Sequence, residues 1–161
     1  MSATKTASRS KRGDELSPAE LGAWRGFLRV HSALSRELDS ELVAEHGLSL
    51  SSYEVLLFLA ESPDGRMRMA ELAESVLLSR SGLTRLADRL ERDGLVKREP
   101  CPSDLRGALA VITEAGRQRF AAARRTHLAG VRDRFLGEFS ATELKTLASM
   151  WERLQPGAAD A

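Results

Sequence analysis

Ser81, Arg85 and Arg89 recur every four residues, Arg92 continues the row, and Thr84 lies at its edge. On a 3.6-residue wheel these side chains fall opposite Leu83, Leu86 and Leu90, with Ala87 beside the leucines and Asp88 beside the arginines. An arginine fork on such a face can pair with guanine O6 and N7, and Ser or Thr hydroxyls can reach base edges or phosphates. The same spacing also allows plain helical ion pairs, Arg85 with Asp88 or Arg89 with Asp93, which contribute only tenths of a kcal/mol. About fifteen residues on, Asp104, Arg106 and Gly107 occupy a turn-rich stretch. A long cation projecting there has the reach to enter a minor groove, where negative potential is concentrated. Asp104 is then expected to support the wing by holding an arginine in place; an ordinary Asp-containing turn is the alternative.

No comparable pattern supports catalysis. His31, His46 and His127 are far apart and in no zinc spacing, and neither a Gly-rich phosphate loop nor a GxSxG elbow is present. The expectation is therefore no catalytic residues, no metal site, no cofactor and no enzymatic activity.

The elements that must position these residues follow from periodicity and caps. Residues 1–16, rich in Ser, Lys, Arg and Thr, read as a disordered basic arm, able to reach phosphate or to serve only solubility. Ser17, Pro18 and Glu20 open a long helix whose stripe of Leu21, Trp24, Leu28, His31, Leu38 and Leu42 ends at Gly47. A capping box from Ser51 to Glu54 starts a second helix, stopped by Pro63 and Gly65. A third helix begins at Met69 without a capping oxygen. A fourth starts near Ser79, which can cap it or face DNA, and stops at Gly94. Two strand-like runs, LVKRE and ALAVIT, flank PCPSDLRG and predict a β-hairpin. Helices over about Glu114–Gly137 and Ser140–Leu154 follow, the second with a Ser140–Glu143 box, before a frayed tail at 155–161.

The fold class predicted is mainly α with a small β-wing: a winged helix-turn-helix lobe over 51–113, flanked by dimerisation helices over 17–46 and 114–154 in a single domain spanning 17–154. Neither outer helix can bury a Trp-containing stripe by itself, so a homodimer is expected, a compact monomeric bundle being the alternative.

A net charge of +1 conceals a segregated distribution. Residues 14–74 hold twelve acids against five bases, whereas residues 80–106 hold seven bases against five acids. The lone Cys101 fits a reducing compartment, and no long apolar run suggests a membrane span or secretory signal, so a cytoplasmic location is expected. Between two prolines, Cys101 reads as structural or incidental, with activation near Arg98 as the redox alternative.

The stretch DLRGALAVITEAG at 104–116, with SGLTRL at 81–86, resembles the MarR family of bacterial transcriptional regulators over residues 17–154. The resemblance implies a homodimer joined through its first and last helices. It implies Ser81, Thr84 and Arg85 at the major groove of double-stranded DNA carrying a pseudo-palindromic operator, and Arg106 in the minor groove. It also implies repression relieved by a small aromatic or phenolic effector, for which Trp24, His31 and Tyr53 are candidate contacts; dimer core is the alternative for Trp24 and His31. The chain departs from the family at Leu105, where many members carry a second basic residue, and at Met69, where a polar cap is usual. A winged-helix module that contacts proteins rather than DNA is the competing functional reading.

Overall fold

The computed structural model describes residues 15–102 and 104–157, with the backbone alone described at residues 104–106. It contains helices α1 (Pro18–His46), α2 (Leu50–Glu61), α3 (Met69–Ser75), α4 (Arg80–Arg92), α5 (Glu114–Arg134) and α6 (Ala141–Leu154). Three strands, β1 (Arg66–Arg68), β2 (Val96–Cys101) and β3 (Asp104–Ile112), form an antiparallel sheet in the order β1-β3-β2. The expected basic arm falls almost wholly outside the described residues, as do the last residues of the expected frayed tail. No helix among the described residues is long and apolar enough to cross a membrane.

The chain divides into two compact units after Ser35. The first holds the start of α1, where the Ser17–Glu20 box is formed: Ser17 N–H donates to Glu20 Oε2 at 2.8 Å and Glu20 N–H to Ser17 Oγ at 3.3 Å. Its apolar side chains stay open, with Trp24 at 54% and Val30 at 50% exposure. Phe27 stacks on Trp24 and sits tilted against His31, each centroid 6.1 Å away.

The second unit carries the core. Leu42, Leu56, Leu59, Leu72, Leu83 and Leu90 are essentially inaccessible, and each such leucine stabilises the fold by roughly 1.5–3 kcal/mol relative to exposure. Leu83, Leu86, Ala87 and Leu90 are the buried side of α4, as its wheel requires. The outward side of α4 is thereby fixed by hydrophobic burial. Glu37 and Glu41 of α1 both pair with Arg134 of α5, and His46 Nε2 lies 2.8 Å from Thr126 Oγ1, which donates to Glu45. In contrast, α6 begins with the expected Ser140–Glu143 capping box but buries none of its residues.

Four details differ from the sequence expectation. Helix α2 is capped by Ser49, whose Oγ accepts from Ser52 N–H at 3.1 Å, rather than by Ser51. Asp39 of α1 accepts from the N–H of Leu50 at 2.8 Å, which fixes the start of α2 two residues earlier. The three residues of β1 pair with Leu109–Val111 of β3, too short a run for alternation to disclose. The long fifth helix ends at Arg134, short of Gly137, and gives way to a 3-10 turn over Leu136–Glu138. Finally, the hairpin strands reach further: β2 continues through Pro100 and Cys101, and β3 begins at Asp104. A bulge at Pro100/Cys101 absorbs the proline, which has no N–H to give a ladder.

Candidate nucleic-acid interface

The turn between α3 and α4 passes through Leu77, at φ +53° and 92% exposed. As expected from the lack of a capping oxygen, α3 begins at Arg68–Met69 with no side-chain cap. Ser79 caps α4: its Oγ accepts from Gly82 N–H at 3.0 Å and lies 3.2 Å from Ser81 Oγ. Its hydroxyl therefore serves the helix start and aligns Ser81. Thr84 donates its hydroxyl to Arg80 C=O at 2.9 Å, so its oxygen keeps acceptor capacity only. Arg85 and Arg89 stand exposed on the outward side, and among the described residues neither forms an ion pair. The simple helical pairs with Asp88 and Asp93 are not what forms.

Asp88 is instead engaged from the wing. Arg98 of β2 donates through its second terminal nitrogen to Asp88 Oδ1 at 2.5 Å and to Glu91 Oε2 at 2.7 Å, and through Nε to Glu91 at 3.0 Å. Its backbone N–H adds a bond to Glu91 Oε1 at 3.1 Å. These hydrogen bonds hold the Glu91 carboxyl below the usual carboxylate range. The sequence pointed to Arg98 only as a neighbour of Cys101 and not as a partner of Asp88 and Glu91. The available signal was Asp88 and Glu91 at i, i+3 on the helix leading into a short strand that carries a lone arginine between Lys97 and Glu99.

Arg98 and Thr84 also line a groove between α4 and the wing, together with Arg68, Arg80, Gly107 and Ala108. Gly107 thus lies beside the edge of α4 that carries Thr84. The backbone of Asp104 and Arg106 belongs to β3, with Asp104 opposite Cys101, so Arg106 sits down the strand rather than at the turn. The side chains of Asp104 and Arg106 lie outside the described residues. Cys101 is buried at 4% exposure.

The end of the wing explains two more residues of the 104–116 stretch. Thr113 caps α5, its Oγ1 accepting from Gly116 N–H at 3.0 Å, and donates the same hydroxyl to Gly94 C=O at 2.7 Å. Thr113 N–H donates to Leu95 C=O at 3.0 Å. Gly94 is at φ +72°, a left-handed conformation that suits glycine after a helix. A Cβ on Gly116 would overlap the Leu95 carbonyl oxygen and lie 2.9 Å from Ile112 Cγ1. Thr113 and Gly116 therefore join the end of α4 directly to the start of α5.

The three candidate effector contacts are placed differently. Tyr53 is 3% exposed, its ring centroid 4.5 Å from His127 and 5.5 Å from Phe120. Burial raises the Tyr53 hydroxyl and lowers the His127 imidazole from their ordinary values, and His127 Nδ1 is buried without a hydrogen-bond partner. Trp24 and His31 belong to the exposed N-terminal unit. Half-buried His127, whose charged form burial disfavours, makes the fold acid-sensitive. Its unfolded form takes a proton near the ordinary 6.5, whereas the folded form resists until lower pH. Stability contributed by the neutral ring is thus present above that value and lost as pH falls from it through the lower folded value. His127→Phe is expected to flatten the fall in melting temperature between about pH 7.5 and 5.5; an unchanged slope would refute the assignment. Arg124 and Glu61, 3.5 Å apart, are charged groups that act on the Tyr53 hydroxyl.

Known proteins place this geometry. The model of the MarR family matches residues 46–107, which contain α2, α3, α4 and most of the wing. The transcriptional activatory protein BadR of Rhodopseudomonas palustris is 30% identical over 146 residues, covering 84% of this chain and 83% of its own. AbsC, a MarR family transcriptional regulator from Streptomyces coelicolor, is 36% identical with a TM-score of 0.82, covering 87% of this chain and 94% of AbsC. Sco3205, a MarR family regulator from the same organism solved in complex with DNA, is 34% identical with a TM-score of 0.82, covering 88% and 95%. With this fold and this likeness over most of its length, the chain belongs to the MarR family of transcriptional regulators, which are not enzymes.

Proposed function

We propose that this regulator is a homodimer that reads a pseudo-palindromic operator in double-stranded DNA, with α4 in the major groove and the β2–β3 wing along the minor groove. The observation that carries this reading is the outward face of α4, where Ser81, Thr84, Arg85 and Arg89 stand exposed opposite a fully buried leucine row. The DNA complex of Sco3205 supports it. Arg106 and Gly107 are proposed for the wing contact, with Asp104 supporting Arg106. Dimerisation is supported by the open apolar side chains of the N-terminal unit and, separately, by α6, whose Met150 and Leu154 are 43% and 77% exposed. Chain copies that cover such faces recover apolar burial that one copy leaves unused. The domain reading is a DNA-binding lobe at 51–113 between dimerisation helices at 17–46 and 114–154.

The finer reading is repression by occupancy, relieved by a small aromatic ligand. Chemistry supports it: exposed aromatic edges at Trp24 and His31, and the unsatisfied Nδ1 of His127 against Tyr53. Such a ligand needs only to favour the DNA-incompetent arrangement by about 1–3 kcal/mol.

The test is a fluorescence-anisotropy titration onto duplex from immediately upstream of its own gene, at two salt concentrations and with excess random-sequence competitor. Saturable binding that salt weakens but competitor does not abolish is expected, with a footprint of two half-sites about one helical turn apart. Binding lost to competitor would refute specific recognition at that site and favour a protein-contacting role.

A further inference from the structure

We propose that Arg98 is a positioning residue for DNA binding that acts through Asp88 and Glu91, cancelling two carboxylates that would otherwise face the nucleic acid beside Arg85. The proposal rests on the DNA-reading assignment of α4 and goes beyond it by giving a role to a wing residue.

The placement of Asp88 creates the problem that Arg98 solves. It lies on the same outward row as Ser81, Arg85 and Arg92, because steps of three, four and seven residues return to one side of a helix. Glu91 lies on the flank toward the wing, next to the edge held by Thr84. Two bare carboxylates at that location would oppose phosphate and would draw Arg85 or Arg92 away from DNA. Arg92 indeed turns back to its own helix, its Nε donating to Asp88 C=O at 3.3 Å. Arg98 meets both acids at once, with one terminal nitrogen between Asp88 and Glu91 and Nε on Glu91. Bidentate, charge-assisted pairing suits an arginine fork and not a lysine point charge. With both acids engaged, Arg85 has no acidic partner among the ion pairs described and remains available for a base or a phosphate.

A direct phosphate contact by Arg98 is the competing role, and the two are separable. Each of four variants would be titrated onto the upstream duplex that wild-type protein binds: Arg98→Ala, Arg98→Lys, Asp88→Asn/Glu91→Gln, and the triple Arg98→Ala/Asp88→Asn/Glu91→Gln. Arg98→Ala is expected to bind roughly tenfold more weakly, with Arg98→Lys intermediate. Neutralising the acids with Arg98 in place is expected to leave affinity at or above wild type. The triple variant is expected to recover most of the loss, which neither a phosphate contact nor a merely structural role would permit. A triple variant as weak as Arg98→Ala overturns the proposal, as does an Arg98→Ala protein that binds normally. Should Arg98→Ala melt early, the Asp88→Asn/Glu91→Gln pair still decides: weaker binding in that folded variant overturns it. If the wild-type protein fails to bind the duplex at all, the DNA-reading assignment itself falls.

Discussion

Gly116→Ala is expected to destabilise the protein by about 3 kcal/mol, the upper part of the range for overpacking a closed site. The added methyl would meet the Leu95 backbone carbonyl, which has no rotamer to escape into, and the Ile112 side chain at 2.9 Å. Relief requires α5 to move away from the end of α4, breaking the bonds that Thr113 makes to Gly94 and Leu95. Because those bonds set where α4 sits, the same substitution should weaken operator binding beyond its effect on folded population. Denaturant melts with urea check the first expectation, and titration well below the melting temperature checks the second. Wild-type stability in Gly116→Ala would show that the contact is loose. Thr113→Val removes the hydroxyl without adding bulk, so its cost should be smaller, about 1–2 kcal/mol, as for loss of a helix cap.

Arg85→Ala is expected to cost about 1–3 kcal/mol on the specific site, roughly 5- to 150-fold in affinity, because a bidentate guanine contact discriminates by that amount. Binding to random-sequence duplex should change far less, since one phosphate-range charge among several is lost. The ratio of the two affinities is therefore the informative quantity. The exposed position of Arg85 on a helix whose other side is locked by Leu83, Leu86 and Leu90 argues that folding will be unaffected. A melting curve identical to wild type with a collapsed specificity ratio is the expected pair of results. Equal losses on specific and random DNA would demote Arg85 to a backbone contact.

Much of this was legible because it is local. Ser17, Ser79, Thr113 and Ser140 each sit within three residues of the N–H they accept, so the chain announces those helix starts directly. The leucine row of α4 likewise fixes its own outward face. What stayed hidden depends on distance along the chain. Among Ser49, Ser51 and Ser52 no local rule selects the cap; Asp39, eleven residues before Leu50, selects it. Strand β1 exists only because β3 offers a ladder more than forty residues later. Asp88 had Arg85 as a plausible partner on its own helix, yet the partner that forms is ten residues away on a strand whose register no sequence pattern specifies. The neighbours of Tyr53, Phe120 and His127, come from a helix that only the tertiary fold brings over it.

The bare flank of α6 makes abundance a control variable. A fourteen-residue helix that fully buries none of its residues on its own chain is marginal in water even with a good capping box. If a second copy supplies what covers it, ordering of that terminus and assembly are one mass-action equilibrium. A cell holding few copies would then keep α6 partly unwound and its subunits apart, while a modest rise in synthesis would convert the population cooperatively. For such a regulator, gene dosage acts as an input in its own right, alongside any small molecule.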